Sequence, residues 1–373
     1  MTFAIITHVP HTAAGAHYFA YAPYVREMNI WAKHVTELIV VAPLVKSERT
    51  AVDTAYHSPK IKFLPVDSFD VLSASGLLKT LLKIPTISWQ IYKAMRSADH
   101  IHLRCPGNIG LLGCVIQIAF PSKSKTAKYA GNWDPKSKQP WTYKLQQWIL
   151  SNTFLTRNMQ VLVYGEWEGS TKNIKPFFTA TYTEADKVPI ITRNLKDPIH
   201  FVFVGALVAG KNPLYAIQLI ERLVEKGHHV RLTLFGEGKE RQQLEYYCSV
   251  NKLENCVVLK GNQTKDTIQK AYQDSHFVIL PSQSEGWPKV IAEGMFWGCV
   301  PIATKVSCVP FMLDFGNRGL VLNMNLEKDS AVIESVLNDQ ALFDSKQMKG
   351  AAWSRGYTMD VFESEIKKLL LDS

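Results

Sequence analysis

Two kinds of segment alternate along the whole chain, and this alternation constrains the fold more than any other feature of the sequence. Strand-like apolar runs occupy residues 3–9, 37–43, 61–66, 100–104, 126–130 and 160–164, then 200–207, 230–235, 256–260, 277–280 and 300–303. Helical patterns fill the intervals, among them 15–34, 140–155, 213–226, 239–250, 264–273 and 288–297. Such alternation predicts parallel sheets covered by helices, and therefore an α/β fold of doubly wound, Rossmann-like domains.

The length of 373 residues is more than one compact core usually holds, so we expect two such domains. A polar, proline-containing stretch at 186–198 marks the expected join. The predicted segments are an N-terminal domain at 1–190, a C-terminal domain at 191–355, and a final stretch at 356–373 whose amphipathic helix returns to the N-terminal domain. Ligands of such sheets bind beyond the carboxyl ends of the strands, which places the expected site in a central cleft between the two domains.

Charge is distributed unevenly between the two halves. Residues 1–195 contain 22 Lys+Arg and 12 Asp+Glu, whereas residues 196–373 contain 20 and 21. A basic half suggests an anionic partner, such as a membrane surface, a phospholipid-linked substrate or nucleic acid, and a merely solvated surface is an equal alternative. Because no recognition module accompanies the basic residues, we do not expect nucleic acid to be the partner.

The chain shows no export or membrane signal. Its start lacks the cationic lead and the long apolar stretch of a signal peptide. The longest apolar run, 109–120, is too short to cross a bilayer and predicts a buried helix. Six scattered cysteines without metal-ligand spacing are expected to be reduced thiols. The expected location is the cytoplasm, with the inner face of the membrane as an option.

The most informative stretch is residues 280–295, LPSQSEGWPKVIAEGM. A strand ends at its start, a short loop follows, and Pro288 stands where a first helical residue is favoured. The unpaired amide groups and positive dipole of a helix start suit a diphosphate. Glu285 stands just before this helix start, and Glu293 lies five residues beyond Pro288, about 7–8 Å along the axis. Two carboxylates around a phosphate-sized gap fit a nucleotide sugar, although either glutamate alone is more often a solvated surface residue.

Two further loops have the composition of phosphate-binding turns. A strand runs into Gly205, and Lys211 follows in a small-residue loop before the next helix. Glycine permits close approach of a ligand, and lysine brings a charge to phosphate oxygens. Taken alone, however, this loop is better explained as an ordinary strand-to-helix turn with a solvated lysine. Gly236 and Gly238 end the next strand, where this pattern is usually only a tight turn. No G-x-G-x-x-G follows the first strand of either domain, which argues against a dinucleotide oxidoreductase.

In this order the motifs resemble the second domain of glycosyltransferase family 4, the retaining GT-B enzymes (glycosyl transferases group 1). The resemblance covers roughly residues 200–325, and the combination is specific where each motif alone is not. The matching positions are Gly205, Lys211, Gly236, Gly238, Lys260, Gly261, Leu280, Pro281, Ser282, Glu285, Glu293, Gly298, Pro301 and Ile302. The resemblance implies the GT-B fold and a UDP- or GDP-sugar as donor substrate, with no cofactor and no metal.

The resemblance also implies roles for individual residues. Lys211 would hold the donor diphosphate, Glu285 the hydroxyls of the transferred sugar, and Glu293 the ribose. The backbone of Gly286, Trp287 and Pro288 would face the phosphates, and the loop at 260–262, which contains Gly261, would lie against the base. In the implied reaction, anomeric configuration is retained and the charge on the leaving diphosphate is stabilised by Lys211 and the helix end.

Three positions depart from the family pattern. Ala206 replaces a common arginine, and we hypothesise that Lys289 supplies the missing charge. Arg104 occupies the place of a common histidine at the end of the fourth strand, and it joins Glu285 and Lys211 as a candidate catalytic residue. The double glycine of the first loop is reduced to Gly15.

The N-terminal domain would select the acceptor, for which we expect a glycan or lipid-linked molecule of bacterial surface-polysaccharide assembly. The acceptor-side candidates are His11, Gly15, His17 and Trp133. His8 lies at the same junction, and for each of these histidines a structural role is at least as plausible as a substrate contact. Aromatic faces stack on sugars, and the cations of this half suit an acidic glycan or an anionic lipid carrier. A nucleotide-sugar-binding protein without transfer activity is the alternative function.

Overall fold

The computed structural model describes residues 1–46, 49–50, 53–58, 60–68, 77–196 and 198–371. The chain forms two compact units. Met1–Phe177 and Glu363–Ser373 form the first unit, and Phe178–Phe362 forms the second. The boundary therefore lies before the predicted 190, and the C-terminal segment joins the first unit at 363 and not at 356.

The first unit contains ten strands and four helices among its described residues. Its strands are β1 (Thr2–Ile6), β2 (Thr12–Ala14), β3 (His17–Tyr21), β4 (Glu37–Pro43), β5 (Asp53–Ala55), β6 (Ile61–Val66), β7 (His100–Cys105), β8 (Ser124–Tyr129), β9 (Met159–Tyr164) and β10 (Ile174–Phe177). Its helices are α1 (Ala22–Ala32), α2 (Leu77–Ser97), α3 (Asn108–Ile116) and α4 (Trp141–Ser151). Seven strands form one parallel sheet in the order β10-β9-β8-β7-β1-β4-β6.

The strands of the first unit are buried because helices cover both faces of a parallel sheet. Residues Phe3 to Ile6 of β1 are all 0% exposed, and β4 reads as the continuous apolar run LIVVAP. The strand order reverses between β1 and β7, which are neighbours although β4 and β6 lie between them in sequence. Such a reversal creates a crevice at the carboxyl ends of the two strands.

The second unit repeats this architecture with six parallel strands. They are β11 (Ile199–Val204), β12 (Val230–Phe235), β13 (Val257–Gly261), β14 (Phe277–Leu280), β15 (Val300–Thr304) and β16 (Leu320–Leu322), in the order β13-β12-β11-β14-β15-β16. Its helices are α5 (Pro213–Glu225), α6 (Arg241–Val250), α7 (Lys265–Asp274), α8 (Lys289–Phe296), α9 (Val309–Met312), α10 (Leu326–Leu337) and α11 (Gln340–Ser354). Helix α12 (Met359–Leu371) begins in this unit and ends in the first. The strand order again reverses once, between β11 and β14.

One region of the first unit differs from the helix predicted at 15–34. Strands β2 and β3 form an antiparallel hairpin that turns at Gly15, and β3 also pairs with β5. The helix α1 begins only after Tyr21. The aromatic residues of β3 favour a strand, and pairing with the distant β5 supplies hydrogen bonds that local sequence does not reveal.

The apolar run 109–120 was predicted as a buried helix, and only one of its faces is buried. Ile109 and Cys114 of α3 are at most 2% exposed, whereas Val115 and Ile118 are 49% and 37% exposed. All six cysteines are free in the structure.

Candidate functional site

The loops after β11 and β14 meet at the strand-order reversal of the second unit. Parallel neighbours place their carboxyl ends at one edge of the sheet, and that edge is where ligands of such folds bind. The loop after β11 leads through Gly205 into a short 3-10 turn at Ala209–Lys211. The amide of Gln283, in the loop after β14, donates to the carbonyl of Gly210 at 2.9 Å. This backbone bond fixes the two loops against each other.

An ion pair joins the two loops at the same place. The Lys211 Nζ lies 2.5 Å from the Glu285 Oε1. The side chain of Glu285 is 8% exposed and that of Lys211 is 31% exposed. The lysine of this pair therefore reaches solvent, whereas the carboxylate is largely buried. An anion at this edge would compete with the Glu285 carboxylate for the Lys211 ammonium.

Three of the predicted glycines end adjacent strands along this edge. The amide of Gly205 donates to the carbonyl of Phe235, and that of Gly236 donates to Gly261, both at 2.9 Å. A side chain at Gly236 would clash with the carbonyl oxygen of Gly205, and one at Gly238 would clash with that of Leu207. Packing of one loop on the next therefore explains Gly236 and Gly238 without a ligand, whereas a side chain at Gly205 would meet only ordinary contacts.

The start of α8 is built differently from the prediction. Pro288 is the N-cap residue, and the helix begins at Lys289. The Gly286 carbonyl accepts hydrogen bonds from the Ser307 hydroxyl at 3.2 Å and from the Cys308 thiol at 3.0 Å. These contacts hold the backbone that was predicted to face the phosphates.

Trp287 anchors this loop from the inside of the unit. Its side chain is buried, and its ring lies among Phe178, Trp353 and Tyr357 with centroid distances of 6.5, 6.0 and 5.7 Å. Only the backbone of Trp287 is therefore placed to contribute to a ligand site.

Glu293 occupies separate surroundings on α8. Its Oε1 accepts a hydrogen bond from the Thr181 hydroxyl at 2.7 Å, and its Oε2 accepts one from the Tyr272 hydroxyl at 3.2 Å. Burial, and then the charge of Glu293, raise the pKa of Tyr272 well above its usual value, so the phenol remains a donor. Lys289 borders the same crevice, whose volume is only about 10 Å³. The structure thus joins Glu285 to Lys211, and it places Glu293 with Thr181 and Tyr272.

In the first unit, the predicted residue Arg104 belongs to a buried charge cluster. Its Nη1 lies 2.7 Å from the Glu27 Oε1, and the Lys128 Nζ lies 2.9 Å from the same oxygen. The side chains of Arg104, Glu27 and Lys128 are 11%, 6% and 1% exposed. Burial alone raises the pKa of Glu27, but the charges and hydrogen bonds of Arg104 and Lys128 outweigh it and lower this pKa to about 2.

The four acceptor-side candidates divide into two interior and two surface residues. His11 is fully buried, with its ring nitrogens 2.7 Å from the Val9 carbonyl oxygen and 2.9 Å from the Tyr56 hydroxyl. Burial lowers the pKa of His11 to about 4, so its ring is neutral at physiological pH. Trp133 is also buried and packs edge-on against Tyr129 at 4.9 Å. This geometry favours structural roles for both residues.

Gly15 and His17 lie on the exposed turn and second strand of the β2–β3 hairpin. His8 is exposed as well, and its imidazole lies beside Gly107 just after β7, at the strand-order reversal of the first sheet. The sequence did not single out His8 from His11 and His17. The position of His8 could have done so, because it lies two residues after the end of β1, at the carboxyl edge of the sheet.

Among the described residues, no helix combines the length and apolar character that a bilayer span requires.

Comparison with known proteins agrees with this architecture. Residues 186–352 match the family model of glycosyl transferases group 1. The poly(glycerol-phosphate) alpha-glucosyltransferase of Bacillus subtilis is 25% identical over 174 residues, which are 44% of this chain and 24% of that protein. The alpha-D-kanosaminyltransferase of Streptomyces kanamyceticus is 26% identical over 162 residues, 43% of this chain and 42% of that protein. The matches thus span less than half the length of these curated relatives.

Solved structures resemble the chain over its whole length. The sucrose-phosphate synthase of Thermosynechococcus elongatus superposes with a TM-score of 0.67 at 14% identity and covers 100% of this chain and 98% of its own. The Anabaena protein HepE, solved with UDP and glucose, superposes with a TM-score of 0.69 at 12% identity and covers 100% of both chains. The lipopolysaccharide outer core galactosyltransferase WaaB superposes with a TM-score of 0.70 at 14% identity and covers 100% of this chain and 99% of its own.

These likenesses define the class: the protein has a GT-B fold, with two Rossmann-like α/β units. The segment 186–352, which contains the Lys211–Glu285 pair, carries the glycosyl transferases group 1 match.

Proposed function

We propose that this protein is a retaining glycosyltransferase that moves a hexose from a UDP- or GDP-sugar to a glycan or lipid-linked acceptor. The observation that carries the proposal is the Lys211–Glu285 pair at the carboxyl edge of the second sheet, inside the segment that matches glycosyl transferases group 1. That edge is the ligand-binding side of a doubly wound sheet. The UDP bound to HepE supports a nucleotide-sugar donor.

In the proposed reaction, the bond between the anomeric carbon and the diphosphate oxygen breaks. The acceptor oxygen bonds to that carbon from the same face, and the acceptor proton passes to the leaving diphosphate. Lys211 stabilises the charge that develops on the diphosphate, because its ammonium is held at the edge before the reaction begins. Glu285 is released from the ion pair and accepts hydrogen bonds from hydroxyls of the transferred sugar.

The same proposal assigns Glu293 to the ribose. Its two carboxylate oxygens already accept hydrogen bonds from Thr181 and Tyr272. Ribose hydroxyls would share or replace these two donors, so donor binding includes a local rearrangement around Glu293. A carboxylate has about four acceptor positions, so ribose hydroxyls that share Glu293 with these donors leave both existing bonds in place. Displacement of the fully buried Tyr272 hydroxyl would cost more, because this donor would lose its acceptor.

We place the reaction in cell-surface polysaccharide or glycoconjugate assembly, at the cytoplasmic face of the membrane. The relatives supporting this context include the poly(ribitol-phosphate) alpha-N-acetylglucosaminyltransferase of Staphylococcus aureus and the amylovoran biosynthesis glycosyltransferase of Erwinia amylovora. The basic N-terminal half suits an acidic or phospholipid-linked acceptor.

The test is release of nucleoside diphosphate from a panel of UDP- and GDP-sugars, with bacterial glycans and lipid-linked sugars as acceptors. We expect one donor to raise the melting temperature, since a ligand of the folded state stabilises it. With an acceptor, the same donor should release nucleoside diphosphate, in the presence of a chelator as well. The anomeric configuration of the product, read by NMR, should match that of the donor.

The alternative is a nucleotide-sugar-binding protein without transfer activity, which Ala206 at the usual arginine position permits. A donor that stabilises the protein without release of nucleoside diphosphate, with every acceptor tried, would establish this alternative. If no nucleotide sugar changes the melting temperature, both proposals are wrong.

A further inference from the structure

A large cavity lies in the first unit, at the amino ends of three neighbouring strands, β8, β9 and β10. Its volume is about 870 Å³. Ligands of doubly wound sheets bind at the carboxyl ends, so this cavity is at the opposite edge of its sheet. Its lining consists of Pro121, Ser122, Ser124, Lys125, Thr153, Thr156, Arg157, Asn158, Met159, Gln160, Lys172, Asn173 and Lys175.

The charges around this cavity are all positive. Four cations line it, Lys125, Arg157, Lys172 and Lys175, and no aspartate or glutamate is among the lining residues. Within the described part of the chain, none of the four is in an ion pair. Like charges that converge without a counterion repel one another, and this repulsion is relieved when an anion binds.

Lys125 is the buried member of the four cations, whereas Arg157, Lys172 and Lys175 are exposed. It is 2% exposed, and among the described residues its Nζ donates to backbone carbonyls, to Phe120 at 3.0 Å and to Gln117 at 3.4 Å. Burial lowers its pKa to about 8. Lysine is rarely buried without a carboxylate partner, so Lys125 is an unusual floor for a cavity lined by further cations.

The rest of the lining supplies hydrogen-bonding groups around the cations. Ser122, Ser124 and Thr153 bring hydroxyl groups, which can donate to the same anion as the lysines and the arginine. The guanidinium of Arg157 lies 4.6 Å from the ring centre of Phe154, a contact that restricts its orientation. We propose that this cavity is a second binding site of the protein, specific for a phosphate-bearing polyanion.

The phosphate groups could be those of a soluble molecule or of lipid headgroups. Phe154 beside the cavity is 70% exposed, and an exposed aromatic ring next to cations is also a feature of surfaces that contact anionic lipid. The chemistry recognised is the same in both cases. An experiment with separate soluble and vesicle arms distinguishes the two sources.

The test is lysine acetylation of the full-length protein, mapped by peptide mass spectrometry. The soluble arm adds inorganic pyrophosphate, and the vesicle arm adds phosphatidylcholine vesicles with or without phosphatidylglycerol. We expect Lys172 and Lys175 to be protected at least fivefold in one or both arms, while the exposed lysines Lys62, Lys93 and Lys144 react as before. Because the readout is specific to these peptides, pyrophosphate bound near Lys211 does not affect it.

Variants of the protein test the same site through its affinity for pyrophosphate or vesicles, read as the concentration that gives half-maximal protection of Lys172 and Lys175. The variant Arg157→Gln keeps Lys172 and Lys175 as the lysines that are read, and it should raise the ligand concentration for half-maximal protection roughly threefold or more, since one charge at the cavity is lost. The matched control Lys62→Gln removes one exposed charge outside the cavity and should leave that concentration unchanged. Protection by pyrophosphate identifies a soluble anion site, and protection only by phosphatidylglycerol vesicles identifies lipid headgroups. Absence of protection in both arms, or equal protection of the control lysines, overturns the proposal.

Discussion

Each unit carries opposite charges where its strand order reverses, but the two groups of charges meet solvent differently. In the second unit, Lys211 and Glu285 are 31% and 8% exposed and make a single contact. In the first unit, Glu27 is 6% exposed and contacts two cations, Arg104 and Lys128, which are 11% and 1% exposed. At the strand-order reversal of the second unit, the cation therefore reaches solvent, whereas at that of the first unit both cations and the carboxylate are at most 11% exposed.

The difference separates residues that act on a ligand from residues that maintain the fold. A buried carboxylate between two cations cannot leave its partners without a large cost, because each charge would be uncompensated in a medium of low polarity. A partly exposed ammonium can exchange one anionic partner for another at little cost. We therefore assign donor chemistry to the second unit, and to Arg104 we assign a structural role.

The largest effect should come from Glu27→Gln. This change leaves Arg104 and Lys128 buried without a counter-charge, and we expect a loss of about 3–5 kcal/mol in the free energy of unfolding. Urea unfolding followed by tryptophan fluorescence measures it. A loss below about 1 kcal/mol would show that the cluster is as exchangeable as the Lys211–Glu285 pair.

The pH dependence gives a control for the Glu27 variant. The pKa of Glu27 is lowered from 4.5 to about 2 in the folded protein, so its stabilising contribution is complete above 4.5. That contribution is lost as the pH falls from 4.5 toward 2. The stability difference between the wild type and Glu27→Gln should therefore narrow over this interval, and a constant difference would assign the effect to packing.

Lys211→Gln should affect turnover more than stability. Loss of a cation that stabilises the leaving diphosphate is expected to lower kcat by about 10²–10³-fold. The melting temperature should fall less than in Glu27→Gln, because Glu285, which is 8% exposed, loses one cationic partner that is itself 31% exposed. Steady-state release of nucleoside diphosphate measures the effect, and Lys270→Gln, an exposed lysine on α7, is the control. An unchanged kcat would remove Lys211 from the mechanism.

Much of this contrast lies beyond what sequence can predict. The alternating pattern predicts both doubly wound sheets, and the carboxyl-edge rule brings the loops of Lys211 and Glu285 together. The cluster of Glu27, Arg104 and Lys128 draws on three distant segments, and the identity of a charged residue does not reveal whether it is buried. The hydrogen bond between Thr181 and Glu293 could not be predicted either, because these two residues are 112 positions apart in the sequence.

A smaller effect is expected from Gly238→Ala, which tests whether the site loops of the second unit depend on close backbone packing. The added carbon would clash with the carbonyl of Leu207, and we expect a loss of about 1–3 kcal/mol in the free energy of unfolding. Gly210→Ala in the neighbouring loop meets open space and should change stability by less than about 0.5 kcal/mol. Equal losses in the two variants would show that packing does not explain Gly238.

The smallest effect should come from Lys289→Gln, which asks whether a second cation of the second unit acts on the donor. Lys289 is the first residue of α8, and Ala206 lacks the charge that the family pattern places near the phosphates. A partly exposed ion pair between Lys289 and a donor phosphate contributes up to about 1 kcal/mol, so its loss should raise the donor KM roughly fivefold with kcat unchanged. Lys328→Gln, on the first turn of α10, is the matched control. A KM equal to that of the wild type would show that Lys289 does not contact the donor. Lys211 would then be the one cation of the second unit assigned to the donor, in contrast to the two cations that Glu27 contacts in the first unit.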